Sequence, residues 1–372
     1  MRVIIAAAGT GGHINPGIAI ANKIKKENPN SEIIFIGTDR GLENDLVPRA
    51  GYGLKTIDAY GFSKEISISN FRKMIKTAKG FKQAKKIIQE FKPDIVIGTG
   101  GYICGAVITE AHKCKIPTIL HESNAYPGLA IKMLSKKVDT ILVGFEDAKN
   151  RLPKAKRVVV TGTPTKTKNI NLSDVEKKKI RKDLKLSDEL PLILVFGGSQ
   201  GAKVINDTLI DIIKNKQNSN YQIIWAAGPS QFDEIKQELQ DFNLDINNID
   251  KVKIVPYIYN MEEIMNTCDL VIARSGAMTL AEIALAGKAA IFIPLPSMSA
   301  NRQEDNARVF ERMGAAKVIL NSELNSEILS KTISEIIAYK EKLEDMGNRA
   351  KQMAIYNVED KIYEEVKRLL KK

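Results

Sequence analysis

Short apolar runs rich in isoleucine and valine alternate with stretches of helical periodicity from the first residues onward. In the first half the runs are RVIIAAA, EIIFIG, DIVIGTG, TILHE, TILVG and RVVVTG, and the helical spacing is clear over residues 14 to 28. Strand–helix alternation of this kind predicts a parallel, doubly wound sheet. A second series starts near Pro191 with LILVFGG, QIIWAAG, VKIVPY, DLVIARSG and AAIFIPL. The restart predicts a second sheet, so the expected fold is α/β with two doubly wound, Rossmann-like domains.

Between the two series, residues 164 to 190 are polar and lysine-rich, with Pro164 leading towards an SDVEKKKIRKDL helix. A linker of this composition marks a domain boundary. The predicted division is 1–163, 164–350 and a closing segment 351–372. In that segment NVEDKIYEEVKRLLKK has apolar residues at helical spacing, expected to pack back across the domains. A chain of 372 residues exceeds one ordinary core, and two domains imply a deep cleft between them.

Composition narrows the partners. With 44% hydrophobic and 27% charged residues the chain reads as globular, neither disordered nor membrane-spanning. The 56 basic and 44 acidic residues leave a net charge of +12, which favours phosphates, acidic lipid surfaces or nucleic acid. No stretch approaches 18 uninterrupted apolar residues, and MRVIIAAAG reads as a buried first strand rather than a signal peptide, so an intracellular protein is expected. Cys104, Cys114 and Cys268 are odd in number and lack metal-ligand spacing, which suits packing residues in a reduced compartment.

Three glycine loops follow apolar runs: GTGG at Gly9–Gly12, GTGG again at Gly98–Gly101, and GGSQG at Gly197–Gly201. Glycine lets backbone N–H groups approach an anion, and a following helix adds its positive end. The spacing GxGxxG fails at Ile14, which disfavours a nicotinamide cofactor. His13, at a helix start above the carboxyl edge of the sheet, is placed as a base, or equally as a histidine bonded to local backbone. In HESN, His121, Glu122 and Asn124 reach the same edge, where Ser123 or Asn124 could instead cap the next turn.

The stretch ARSGAMTLAEIALAG, residues 273 to 287, leaves a strand through Ser275 and Gly276 into a helix carrying Thr279 and Glu282. Amides at such a helix start hold a diphosphate, and a carboxylate about two turns in accepts hydrogen bonds from ribose hydroxyls. The plainer alternative is a capping turn with a solvated glutamate. Farther on, Gln303 and Asn306 of ANRQEDNA follow a proline-rich loop and are candidates for sugar hydroxyls or for simple solvent exposure. Residues 71–86, FRKMIKTAKGFKQAKK, carry seven basic and no acidic residues around an apolar stripe. That suits an anionic membrane surface or an ordinary surface helix, while no nucleic-acid-binding module accompanies it.

Taken in order, GTGGHINP, GTGGY, HESN, GGSQG, RSGAMTLAE and RQEDNA resemble the MurG family of glycosyltransferases, which make lipid II for peptidoglycan. The resemblance runs over essentially the whole chain. It implies a GT-B fold, with acceptor and membrane surface in the first domain and UDP-N-acetylglucosamine in the second. It further implies that Thr10, Gly11 and Gly12 lie beside donor sugar and acceptor phosphates, that Gly100, Gly101 and Tyr102 form an acceptor-phosphate loop, and that Asn124 contacts sugar. Ser199 would hold the diphosphate, Ile258 would meet uracil through its backbone, Ala277, Met278 and Thr279 would form the phosphate-binding helix start, Glu282 would take ribose and Gln303 sugar hydroxyls. Two departures stand out: GTPTK replaces the family's GNPVR, putting Lys166 where an arginine fork is usual, and HESN replaces HEQN.

The implied reaction is attack by the C4 hydroxyl of N-acetylmuramic acid in lipid I on C1 of the donor, with inversion and His13 as candidate base. Helix-start amides would stabilise the leaving UDP, so neither a metal nor another cofactor is expected, and no DxD-like cluster is present. The expected location is peripheral, on the cytoplasmic face of the membrane. The rivals are a UDP-N-acetylglucosamine 2-epimerase or other glycolipid transferase, and a non-catalytic nucleotide-sugar sensor.

Overall fold

The computed structural model describes residues 1–60, 68–165, 170–198, 200–296 and 302–371, with the side chains of 68–76 also outside the description. The chain divides into two units, Met1–Lys166 with Ile355–Lys372, and Thr167–Ala354. Each is built on a parallel sheet. Together they give the GT-B class of fold, two Rossmann-like domains in one chain.

In the first unit the strands are β1 (Arg2–Ala7), β2 (Glu32–Gly37), β3 (Gly53–Thr56), β4 (Ile95–Gly100), β5 (Thr118–Glu122), β6 (Thr140–Val143) and β7 (Val158–Val160). Their order is β3-β2-β1-β4-β5-β6-β7. The helices between them are α1 (Gly11–Glu27), α2 (Glu43–Arg49), α3 (Ile68–Phe91), α4 (Ile103–Lys113), α5 (Leu129–Leu134) and α6 (Glu146–Lys149). Consecutive apolar residues form these strands because helices cover both faces: Ile4, Ala6, Val96 and Leu120 face one core, and Val3, Ile5, Ile97 and Ile119 face the other. Each fully buried aliphatic side chain contributes roughly 1.5–3 kcal/mol. The order reverses between β1 and β4, where Ala6 pairs with Gly98 and the register then slips so that Ala7 meets Gly100. That reversal opens a crevice at the carboxyl ends of the two strands. Two of the glycine loops sit there.

The second unit repeats the plan with β8 (Leu192–Phe196), β9 (Gln222–Ala226), β10 (Val252–Val255), β11 (Leu270–Ala273), β12 (Ala289–Phe292) and β13 (Ala316–Val318), in the order β10-β9-β8-β11-β12-β13. Its helices are α7 (Asp174–Asp183), α8 (Lys203–Lys214), α9 (Phe232–Asp241), α10 (Met261–Thr267), α11 (Ala277–Ala286), α12 (Arg302–Arg312), α13 (Ser326–Ile337) and α14 (Lys340–Gln352). Here the order reverses between β8 and β11, the strands that lead into GGSQG and ARSG. Trp225 is wholly buried, and its Nε1–H donates to Asn206 Oδ1 at 3.0 Å, so the indole's polar edge is satisfied inside the core.

The chain then returns to the first unit as α15 (Val358–Leu370). This closing helix, expected across the domains, lays Val358, Ile362, Val366 and Leu369 into the core that holds Ile5, Ile20 and Ile24. Polar anchoring reinforces it: the Arg157 guanidinium grips Glu365 through two hydrogen bonds of 3.0 and 2.7 Å, and Arg368 donates to Glu365 and to Thr140 Oγ1, each at 2.7 Å. The expected boundaries at 163/164 and 350/351 compare with observed divisions at 166/167 and 354/355.

The helix α3 includes the basic stretch. From residue 77 on, its apolar positions Phe81, Ala84, Ile87 and Ile88 pack against their own unit's core rather than outwards. No helix among the described residues is long and apolar enough to cross a membrane.

Candidate functional site

In the first unit the site is built on the crevice between β1 and β4. Helix α1 starts after Thr10, whose side chain makes no cap; its first two residues are glycines, and its first turn carries no acidic residue. The first intrahelical bonds run to Thr10 O from His13 N at 3.0 Å and Ile14 N at 3.2 Å. The amides of Gly11 and Gly12 therefore precede the hydrogen-bonded turns, at the positive end of the helix dipole. Gly9 has φ +95°, and a Cβ placed on it would meet nothing within 4 Å among the described residues, so the loop borders open space there.

His13 is clamped from three directions. Its Nδ1 lies 3.1 Å from Ala8 O, its own carbonyl accepts from Thr99 Oγ1 at 2.7 Å, and its ring lies against Gly100 so closely that a Cβ there would collide with it. Gly100 (φ +131°) and Gly101 (φ +82°) both occupy backbone regions that favour glycine, and a Cβ on Gly101 would come within 2.8 Å of Ala8 O. The structure thus brings Thr10, Gly11, Gly12, His13, Gly100, Gly101 and Tyr102 to one edge. Because a carbonyl only accepts, the contact with Ala8 fixes the neutral ring with its proton on Nδ1, which makes Nε2 the basic nitrogen.

The HESN segment is divided in its duties. His121 is buried, with Nε2 3.0 Å from Gly162 O and Nδ1 3.3 Å from Ser123 Oγ, and burial pushes its pKa down. It serves as a neutral structural bridge between β5 and the chain after β7. Glu122 accepts from the backbone and side-chain nitrogens of Asn124, both at 2.9 Å, and from Gly128 N at 2.7 Å. Asn124 is therefore held in place by its neighbour, at the carboxyl end of β5.

In the second unit, Ser275 is fully buried and donates to Gln303 O at 2.7 Å, while Asn306 Nδ2 donates to Ser275 O at 3.2 Å. These bonds tie the start of α12 to the turn before α11. Gln303 Oε1 in turn accepts from Leu295 N at 2.9 Å. Helix α11 starts at Gly276 without a side-chain cap or an acid in its first turn, and its first intrahelical bond runs from Leu280 N to Gly276 O at 3.0 Å. The amides of Ala277, Met278 and Thr279 precede that bond, and among the described residues Gly276 leaves open space in front of them, since a Cβ there would meet only Thr279 Oγ1, at 3.9 Å. Glu282 lies farther along the same helix and is partly exposed.

Arg274, just before this turn, donates to Ile293 O, Pro294 O and Asn321 Oδ1 at 3.0, 3.1 and 2.8 Å. Burial pushes its pKa down, and the partners it meets there are neutral. Its charge thus adds to the positive potential of the helix start. Ile258 is buried at 6% exposure in the turn after β10, flanked by the exposed Tyr257 and Tyr259, whose rings meet edge to face at 5.0 Å. A buried side chain leaves only the backbone of Ile258 to meet a ligand. Ser199 and Lys166 lie outside the described residues. Of the GGSQG loop, Gly198 has φ +99° and Gly201 has φ +77°, and Gly201 N donates to Gly198 O at 3.1 Å. Among the described residues no group of three His, Cys, Asp or Glu side chains is placed to hold a metal ion.

The sequence reading missed Glu43. This first residue of α2 is buried and accepts from Gly9 N, Thr38 N and Thr38 Oγ1 at 2.9, 2.9 and 2.6 Å. Burial pushes its carboxyl up, but the hydrogen bonds from Thr38 and the Gly9 amide outweigh that and hold its pKa below the ordinary value. The available signal was an acid opening a helix just after the second strand-end turn, GTDRGLE, which carries no phosphate-loop pattern.

Comparison with known proteins places these features. Residues 3–143 match the glycosyltransferase family 28 N-terminal domain, and residues 192–362 the family 28 C-terminal domain. A protein of Acetivibrio thermocellus named UDP-N-acetylglucosamine--N-acetylmuramyl-(pentapeptide) pyrophosphoryl-undecaprenol N-acetylglucosamine transferase is 41% identical over 372 residues, covering 100% of this chain and 99% of its own length. A protein of the same name from Clostridioides difficile is 42% identical over 368 residues, covering 98% of this chain and 88% of its own. The crystal structure of Acinetobacter baumannii MurG superposes with a TM-score of 0.78 at 28% identity, covering 99% of both chains.

Proposed function

The chain belongs to glycosyltransferase family 28, and from that premise we propose that it moves N-acetylglucosamine from UDP-N-acetylglucosamine to the C4 hydroxyl of N-acetylmuramic acid in lipid I, giving lipid II. The observation that carries this reading is the start of α11: three amides ahead of the first helical bond, no capping side chain, open space before Gly276 and a carboxylate farther along the same helix. A diphosphate meets the amides and the dipole, and Glu282 takes the ribose hydroxyls. Ile258 offers its backbone to uracil, Ser199 its hydroxyl to the diphosphate, and Asn124 and Gln303 bind sugar hydroxyls.

The acceptor's phosphates meet the amides of Thr10, Gly11 and Gly12 and the loop of Gly100, Gly101 and Tyr102. As the C4 oxygen attacks C1, its proton passes to Nε2 of His13, the C1–O bond to UDP breaks, and C1 inverts to a β-1,4 linkage. Such a base contributes about 10²- to 10⁴-fold. The charge that develops on the departing diphosphate is stabilised by the amides of Ala277 to Thr279, and Lys166 supplies a further positive charge without an arginine's bidentate fork.

Lipid I is a membrane substrate, so we assign the enzyme a peripheral place on the cytoplasmic face. The net charge of +12 supports attraction to anionic lipid. The described half of α3 turns its apolar residues inward. On α5, Leu129 and Met133 are instead 63% and 60% exposed, and Lys132, Lys136 and Lys137 stand beside them, a composition suited to shallow insertion among acidic headgroups.

Transfer of radiolabelled N-acetylglucosamine from UDP to a synthetic lipid I analogue tests the proposal. Label appearing in the lipid fraction is the expected result. Conversion of donor alone to UDP-N-acetylmannosamine, with no label in lipid, would establish the epimerase reading instead.

A further inference from the structure

Ala8 and Gly9 share one peptide group, and that group is held at both ends. Its N–H donates to Glu43 Oε2 at 2.9 Å, and its carbonyl accepts from His13 Nδ1 at 3.1 Å. We propose that Glu43 is a positioning residue for His13, acting through the Ala8–Gly9 peptide to fix the imidazole's tautomer and strengthen Nε2 as a base. The proposal rests on the reading of His13 as the base, and goes beyond it by naming what prepares the ring.

Glu43 is buried, so its charge is little screened, and a carboxylate that draws on a peptide N–H polarises the attached C=O into a better acceptor. The arrangement is a carboxylate–imidazole pair with one peptide inserted between the partners. The loop has little freedom to evade this coupling. Leu42 N donates to Gly9 O at 3.3 Å, so both polar groups of Gly9 are engaged by the turn that carries Glu43, while Thr99 and Gly100 hold His13 from the β4 side. Glu43 itself is fixed by Thr38 N and Thr38 Oγ1, and it opens α2, where the helix dipole favours a negative charge.

Other ionisable groups near the loop are Asp39 and Arg40 of the β2–α2 turn, Tyr102 ahead of α4 and Cys104 on it. Arg40 lies over the Tyr60 ring at 3.9 Å and interacts with Tyr102. Burial pushes the Cys104 thiol up to about 12, so it stays neutral. Glu43 is the carboxylate that connects to His13 through a single covalent peptide.

The test is nitrogen NMR of the full chain labelled with ¹⁵N-histidine, whose three histidines are His13, His112 and His121. His13→Gln assigns the resonance. In the unaltered protein His13 is expected as the Nδ1–H tautomer, and the Nε2–H tautomer would overturn the proposal without any variant having to fold. In Glu43→Gln three donors face a side chain with one acceptor oxygen. The expected outcome is a mixed tautomer, a His13 pKa moved down, an acid limb of kcat/KM moved down with it, and a turnover lowered about 10- to 100-fold, as when an imidazole's outer partner is removed at metal sites. Thr38→Val, which removes one donor and keeps the carboxylate, is expected to retain the tautomer. Glu43→Gln with unchanged tautomer and pKa would overturn the relay. Near-normal turnover in His13→Gln would remove the base reading instead, and the two failures are thereby distinguishable.

Discussion

Replacing Gly100 by alanine tests how closely the first unit's site depends on a missing side chain. Two separate costs follow from the structure. At φ +131° an L residue is strained by about 1–3 kcal/mol, and the new Cβ would enter the space of the His13 ring. In a unit of this size each kcal/mol lowers the melting temperature by about 2–4 °C. The ring has no compensating freedom, since its Nδ1 is tied to Ala8 O and its carbonyl to Thr99. Displacing it forfeits much of the roughly 10²- to 10⁴-fold contribution of a general base. Gly105 supplies the control: it lies within α4, and a Cβ there meets nothing within 4 Å. Gly105→Ala is expected to stabilise the protein by about 0.5–1 kcal/mol with unchanged turnover. The assay pairs thermal melting with initial rates of transfer to a lipid I analogue. Gly100→Ala with wild-type turnover would refute the placement of His13 against that glycine.

Glu282→Gln keeps the size of the side chain but weakens its acceptance from ribose, so the donor KM should rise about tenfold while the lipid KM stays within twofold, measured by varying each substrate in turn. Glu365, whose carboxyl is pushed up by burial but held below its ordinary pKa by Arg157 and Arg368, contributes stability that is present above the unfolded pKa and lost as pH falls through the folded one. Glu365→Gln should therefore lower the melting temperature at pH 7, with the gap to wild type closing in acid; a gap independent of pH would contradict this. Leu129→Ser with Met133→Ser should reduce co-sedimentation with phosphatidylglycerol vesicles several-fold while leaving transfer to a water-soluble acceptor unchanged, and undiminished co-sedimentation would remove α5 from the membrane face.

Much of this architecture can be read directly from the chain because parallel strands covered on both faces appear as unbroken apolar runs. The runs RVIIAAA, DIVIGTG, LILVFGG and DLVIARSG became β1, β4, β8 and β11, the strands flanking the two order reversals. Two of the four edge strands were not legible: β3 is GLKT and β13 is AKV, short and partly exposed, and their pairing is decided by neighbours rather than by local pattern, whereas the edge strands β7 and β10 were visible as RVVVTG and VKIVPY. The glycine loops were visible as motifs, but why Gly100 must be glycine depends on His13, 87 positions earlier, which pattern alone does not connect. Glu43 was hidden for the same reason, since its role is set by Gly9 across 34 residues. The basic stretch in α3 shows the opposite limit. An amphipathic stripe looks alike whether it faces lipid or a protein core, and from Phe81 onward the core takes it.

The central claim is that the amides opening α11 hold the donor's diphosphate while Glu282 holds its ribose. A crystal structure of the protein with UDP measures this directly. The account predicts phosphate oxygens within hydrogen-bonding distance of the amides of Ala277 to Thr279 and ribose hydroxyls on the Glu282 carboxylate. UDP bound elsewhere, with that helix start bare, would contradict it.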